Sequence, residues 1–271
     1  MNNYNTGLFT FGNGSSNNLA YTLGLSRNNT YTDPIYPTGG SSFSFSAKFT
    51  FPYSSVNNVD YSALKTERQD LVNQLTTDPS NTSASERIAV IDQEKFRWLE
   101  YYKFKFKGEW YTALTKKLVL KPTFEFGFLG AYNNDRGIVP FERFFLGGDG
   151  LGTYSLDGRE TIALRGYPNQ SLSSQDGGSI YNKYSLELRY PISLGQQAKV
   201  YALAFMEGGY SFNNFRDYNP FELKRSAGLG VRLFMPQFGL LGIDFGHGFD
   251  SLQGETDKHG WETHFIIGQN F

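Results

Sequence analysis

From Ser41 to Phe51 the chain alternates without error, with Phe43, Phe45, Ala47, Phe49 and Phe51 on one parity and Ser42, Ser44, Ser46, Lys48 and Thr50 on the other. A period of two marks a strand with one apolar and one polar face. A chain built of such strands must pack its apolar faces on each other or turn them toward lipid. The pattern recurs. Leu19, Tyr21, Leu23 and Leu25 alternate with Ala20, Thr22, Gly24 and Ser26, and Phe104, Phe106 and Trp110 with Lys103, Lys105, Lys107 and Glu109. Leu118, Leu120, Phe124, Phe126 and Phe128 oppose Lys121, Thr123 and Glu125, and Tyr184, Leu186, Leu188 and Tyr190 oppose Lys183, Ser185, Glu187 and Arg189. The signal is weaker in Val200 to Tyr210, Ala227 to Leu233, Leu241 to Phe245 and Thr263 to Phe271, which makes nine strands, with a fragment of a tenth at Leu8 to Gly12.

The content of 25 Phe, 18 Tyr, 3 Trp and 30 Gly fits strands and turns. No apolar run approaches the roughly 18 residues of a spanning helix, and the mean hydropathy is -0.43. Neither fact bears on a membrane barrel, in which only every second residue of a strand faces lipid. The connections discriminate better. Thr115 to Lys117, Ile192 to Ala198 and Pro236 to Phe238 are short, whereas Tyr53 to Leu99, Asn134 to Gly178, Ser211 to Lys224 and Asp250 to Gly260 are long, and from the second strand on the two kinds alternate. A transmembrane barrel has tight turns on one side and extended loops on the other, while a soluble sandwich has no reason to sort them. Charged faces such as Lys103, Lys105, Lys107 and Glu109 opposite aromatic ones suit lipid outside and water inside. The expected fold is all-β, an antiparallel transmembrane β-barrel.

One stretch departs from the strand period. Residues 54–99 form a loop insert in which Tyr61 to Leu75 and Ser85 to Leu99 have helical composition, with Leu64, Leu71, Val72 and Leu75 at helical spacing. Two short helices are expected, joined by a turn at Asp78 to Thr82, with Ser85 as the cap of the second, in a solvated excursion on the outer side.

Charge and chemistry exclude several classes. Twenty-five Lys plus Arg against 26 Asp plus Glu leave a formal charge of -1, without the basic excess that nucleic-acid binding requires. There is no Cys, and hence no disulfide, thiolate site or Cys nucleophile. His247, His259 and His264 lack the spacing of a zinc site, Asp244 and Asp250 beside them are unremarkable, and no metal or cofactor is expected. No Gly-x-Ser-x-Gly elbow occurs. The run from Gly147 to Gly152 is followed by no Lys-Ser or Lys-Thr pair and reads as a hinge rather than a phosphate cradle. The start, Met1 to Asn5, has neither a basic nor an apolar segment, so an export signal is expected outside this sequence.

In the long connection at residues 134–178, Phe141-Glu142-Arg143-Phe144-Phe145-Leu146-Gly147-Gly148 is followed by Leu164-Arg165-Gly166-Tyr167. An aromatic stretch, a Gly pair and an apolar-Arg-Gly-aromatic motif in this order resemble the C-terminal barrel of the BamA family of outer-membrane protein assembly factors, the surface antigen or insertase family of Gram-negative bacteria. Pro37-Thr38-Gly39-Gly40 resembles the family's Pro-Thr-x-Gly turn. Ser185-Leu186-Glu187 and Phe205-Met206-Glu207-Gly208-Gly209 resemble its two acid-bearing strands, and Ile267-Gly268-Gln269-Asn270-Phe271 its terminal strand. The likeness runs from about Leu19 to Phe271.

The resemblance implies a loop that folds into the lumen, where Arg165, with Gly166 and Tyr167, pairs with Glu187 and Glu207 on the wall. Parity agrees for Glu187, and for Glu207 if Ala204, Met206 and Gly208 face lipid. Read without the family, Arg165 is a solvated loop residue. Phe265, Ile267, Gly268 and Phe271 would form the C-terminal assembly signal and one side of a lateral gate that opens to a client strand, with Gly260, Gly268, Gln269 and Asn270 weakening the seam. The implied activity is insertion of barrel proteins into the outer membrane without enzymatic chemistry. Its partners would be unfolded barrel clients, outer-membrane lipid and accessory lipoproteins held by other domains. A translocation pore of the same family is the main rival, followed by a barrel protease or lipase and a passive porin. Against the family's sixteen strands and periplasmic domains, residues 1–271 supply only the last nine strands, which alone should not close a barrel. A piece of a longer protein is therefore expected. Asp149 to Ala163 also lengthens the connection ahead of Arg165.

Overall fold

The computed structural model describes residues 15–31, 33–151, 160–252 and 254–268. The fragment at Leu8 to Gly12, Gly152 of the glycine run, and Gln269, Asn270 and Phe271 of the terminal signal lie outside the described residues.

The elements in chain order are β1 (Ala20–Asn28), β2 (Gly39–Thr50), α1 (Tyr61–Thr77), α2 (Thr82–Phe96), β3 (Tyr102–Ala113), β4 (Val119–Gly130), β5 (Phe144–Leu146), β6 (Glu160–Ile162), β7 (Ile180–Leu194), β8 (Lys199–Phe212), β9 (Lys224–Met235), β10 (Gly239–Ser251) and β11 (Lys258–Gly268). Nine of them form one antiparallel sheet in the order β1-β2-β3-β4-β7-β8-β9-β10-β11. These are the nine strands expected from the alternation. As expected of an incomplete barrel, the sheet is open, with β1 and β11 as its edges.

The register carries the two faces through the sheet. Phe45 lies opposite Phe106, Phe106 opposite Phe126, and Phe124 opposite Tyr184. Outward rings meet in rows, with Phe45 and Phe104 stacked at 6.3 Å, Phe104 and Phe128 stacked at 6.5 Å, and Phe124 tilted against Tyr184 at 5.3 Å. On the inner face, Lys103 and Lys105 reach Glu160 at 2.8 Å each, and Lys121 reaches Glu109 at 3.0 Å. The tight turns lie at one end of the sheet, as at residues 114–118 and 236–238, where Leu114 donates to the Leu118 carbonyl and Phe238 to that of Met235.

The inner face is filled. Toward the long loops, Phe96, Leu99, Tyr101, Leu129, Phe144, Leu146, Leu164, Tyr167 and Tyr181 form one buried cluster, to which the connection after β4 brings Phe144, Leu146, Leu164 and Tyr167. Toward the short turns, Tyr36, Tyr111, Val119, Tyr201, Leu203 and Phe205 form another. Tyr36 comes from the β1–β2 connection and donates to the Arg189 carbonyl at 2.9 Å.

The first helix starts at Tyr61 as expected, whereas the second starts about one turn before the expected Ser85 cap. Asp60 caps α1 through the Ala63 N–H, and Asn81, not Ser85, caps α2 through the Ala84 N–H, each at 3.0 Å. Ser85 lies inside α2, because the Asn81 carboxamide already satisfies the first free amide. The insert is also no free excursion. Ile88, Ile91 and Phe96 of α2 are buried, and Phe96 joins the core. Arg136 donates to the carbonyls of Lys95 and Trp98 and pairs with Glu100, tying the insert to the neighbouring loop.

Candidate functional site: a buried arginine loop

Arg165 is 6% exposed and sits inside the sheet. Its Nη2 donates to Glu207 Oε1 at 2.6 Å and to Glu187 Oε1 at 2.9 Å, and its Nη1 donates to Asp244 Oδ2 at 3.1 Å. The backbone N–H of Arg165 donates to the other Glu207 oxygen at 2.9 Å, and the guanidinium carbon lies 3.8 Å from the centroid of the Phe205 ring. A single guanidinium thus spans β7, β8 and β10, using the fork geometry that a lysine lacks. Burial alone would lower its pKa, but Glu207 and Glu187 outweigh that and hold it above its ordinary value, fully charged.

Each carboxylate has a second cation. Arg189 binds Glu187 through Nη2 at 2.6 Å and Nε at 2.8 Å, Arg232 binds Asp244 through both Nη atoms at 2.6 Å, and Lys183 lies 3.6 Å from Glu207. This chain of alternating charges is what makes so many buried ions tolerable.

Glycines bring the loop backbone against β10. Gly166 has φ +86, and a Cβ there would stand 2.8 Å from that of Ser226. Across from it, a Cβ on Gly246 would meet the Gly166 nitrogen at 2.7 Å, and one on Gly248 the Gly166 oxygen at 2.6 Å. The Gly166 N–H donates to His264 Nε2 of β11 at 2.7 Å, which makes Nε2 the unprotonated ring nitrogen. Tyr167 is fully buried, donates to the Arg225 carbonyl at 2.7 Å and accepts from the Asp250 N–H at 3.2 Å. Burial pushes its phenol up to about 12, so it remains a neutral donor.

The described part of the glycine run, Gly147 to Leu151, read as a hinge, is instead a packed turn. Gly148 and Leu164 exchange backbone hydrogen bonds at 3.1 and 3.0 Å, and a Cβ on Gly148 would lie 1.9 Å from Asn169 Oδ1. Asn169 Oδ1 in turn accepts from the Asp149 and Gly150 amides at 3.1 Å. The turn sets Asp149 Oδ2 on the Phe265 N–H of β11 at 3.1 Å. Phe265 and Ile267 point outward, 54% and 67% exposed, and Gly268 closes the described part of the strand.

Arg165, Glu187 and Glu207 therefore converge, whereas Phe265 and Ile267 lie on the opposite face of the sheet. Sequence reasoning passed over Asp244 and His264. Parity holds the signal for Asp244, the acid of Gly242-Ile243-Asp244-Phe245-Gly246 on the same side as the glycines that admit the loop. Pairing places it opposite His264 in the neighbouring strand. The short parallel pair β5 and β6 was also missed, since three residues are too few to show a period.

No curated protein matches the chain. Among solved structures, the crystal structure of BamA from Haemophilus ducreyi lacking POTRA domains 1-3 superposes with a TM-score of 0.55 at 18% identity, over 91% of this chain and 42% of that one. That likeness is one of fold, and the chain spans less than half the length of the BamA it matches. The model of the Omp85 superfamily domain covers residues 2–271. With that match over its length, and an open antiparallel sheet that folds like part of a BamA barrel, the chain belongs to the Omp85 superfamily of outer-membrane proteins.

Proposed function

We propose that this chain is the seam-bearing part of an outer-membrane protein insertase, which offers the edge of β11 to a client strand and works without bond chemistry. The observation that carries the reading is the grip of the Arg-Gly-Tyr loop on the last strands. The 164–167 motif bonds to side chains or backbone of β7, β8, β9, β10 and β11, and Asp149 reaches the edge strand next to His264. A loop fixed at so many points braces the wall up to β11, so that strand addition at the edge, a form of β-augmentation, meets a rigid template. Phe265, Ile267, Gly268 and Phe271 would supply the apolar side of that edge. Clients would be unfolded barrel proteins, and accessory lipoproteins would act through other domains.

The test has two readouts on the full-length protein. Depletion should remove several unrelated barrels from the outer membrane, and a photocrosslinker at Ile267 should capture a barrel client during its assembly, while one at Leu186, far from the edge, should not. Loss of one secreted partner with other barrels unchanged would support the translocation pore and overturn the insertase. Normal barrel levels together with equal crosslinking at both positions would refute a seam at β11.

A further inference from the structure

On the lipid-facing wall, away from the seam, the pairing register leaves a hollow. Going round the sheet, one row of outward positions runs Phe124, Tyr184, Gly208, Arg225, and the next runs Pro122, Leu186, Met206, Ala227. Large side chains give way to Gly208, opening a groove of about 580 Å³ that also borders Trp110 and Phe249 and is lined almost wholly by carbon.

The groove is roofed at one end by Leu223, the last residue of a loop held against the wall. The loop at residues 213–223 bends down over the outside of the wall rather than into solvent. Tyr218 packs edge-on against Phe126 at 6.0 Å and Phe212 at 5.3 Å, Phe215 packs edge-on against Phe128 at 6.1 Å, and the Pro220 carbonyl accepts from Asn182 Nδ2 at 3.2 Å. Asn182 is outward-facing yet completely buried under this loop. The loop satisfies its Nδ2, as a polar group on the lipid side requires, while its Oδ1 has no hydrogen-bond partner among the described residues. Leu223 at its end closes over Gly208, where an added Cβ would be 3.4 Å from Leu223 Cδ1. Phe215 and Phe221 remain 71% and 88% exposed, rings suited to the membrane interface.

At the rim nearest the long loops stands Arg225, its side chain 65% exposed. It holds Asp250 with Nε and Nη2, while its Nη1 has no hydrogen bond among the described residues. A cation with a donor to spare above a carbon-lined slot matches a phosphate above a hydrocarbon chain. Because this surface is continuous with the lipid-facing wall, we infer that the groove seats one acyl chain of a phospholipid, its phosphate at Arg225 and Leu223 closing over it at one end. This goes beyond the insertase reading and does not depend on it.

The test places the full-length protein in nanodiscs of phosphatidylglycerol doped with phosphatidylglycerol spin-labelled near the end of one acyl chain. Electron spin resonance should report about one more immobilised lipid per protein for the wild type than for Gly208→Leu, which fills the groove from the wall, or Leu223→Trp, which fills it from the roof. Gly208→Ala, which makes only ordinary contacts, should keep the seat. Retained heat-modifiable mobility on gels shows that each variant is folded. Arg225→Gln should abolish any preference for phosphatidylglycerol over phosphatidylcholine. Equal immobilised fractions in the wild type and in whichever groove-filling variant folds would overturn the seat, and a wild type indifferent to headgroup would overturn the role of Arg225.

Discussion

Replacing Arg165 by Ala removes the one cation among the described residues that touches Glu187, Glu207 and Asp244 together. The three acids do not suffer equally. Glu187 keeps the two-nitrogen grip of Arg189 and Asp244 that of Arg232, but Glu207 is left with the backbone N–H of residue 165 at 2.9 Å, the Ser185 hydroxyl at 3.1 Å and Lys183 only at 3.6 Å. The cost therefore falls mainly on one buried, under-compensated carboxylate, and breaking such a pair from one side costs about 3–5 kcal/mol. The exposed face of Phe205 adds about 1 kcal/mol for the lost cation–π contact. A total of about 4 kcal/mol corresponds to roughly a thousandfold change in the folding equilibrium. Urea unfolding of the full-length protein in detergent micelles, followed by the heat-modifiable gel shift, measures it. A double-mutant cycle with Glu207→Gln should return a coupling of about 2–3 kcal/mol, and one with Asp244→Asn a smaller value, since Arg232 stays. If Arg165→Ala unfolds within about 1 kcal/mol of the wild type, or the two couplings are equal, the carboxylates do not depend on Arg165 as their distances imply.

Gly166→Ala should cost about 1–3 kcal/mol through its positive φ and the contact with Ser226, read as faster proteolysis of the 131–179 loop in the folded barrel; unchanged cleavage would mean that the loop docks without the close approach. Asp149→Ala should speed hydrogen exchange of the Phe265 amide whereas Asp149→Asn, which keeps an acceptor, should not, and identical exchange in both would show that another group holds that amide. For Glu142, burial raises the carboxyl pKa, but hydrogen bonds from Lys48 and Tyr101 and the charge of Lys103 bring it below the ordinary 4.5. A depressed pKa contributes stability that is present above that value and fades as the pH falls below it, so an acid titration of unfolding should lose this component in Glu142→Gln, and superimposable curves would contradict the clamp.

Strand number, the two faces and the sorting of short and long connections were legible because each follows from local chemistry. Period two fixes which side chains share a face, and turn length is written in the chain. The pairing of Arg165 with Glu187 and Glu207 came from the family resemblance, and parity agreed with it by putting those acids on the inner face. The cap at Asn81 rather than Ser85 was missed because several polar residues near a helix start compete for the same free amide, and only the folded backbone shows which one reaches it.

The sequence by itself thus determined that this chain makes a two-faced antiparallel sheet, since alternation is a property of neighbouring residues and needs no partner to be read. Tertiary structure alone decided that Asp244 and His264 join Arg165 and Gly166, residues 79 and 98 positions away along the chain, that the Gly147 run is a packed turn, and that the 213–223 loop lies on the outer wall. Each of these depends on which backbone comes within hydrogen-bond range of which, and that distance is set by strand register and loop packing over the whole sheet rather than by any stretch of residues.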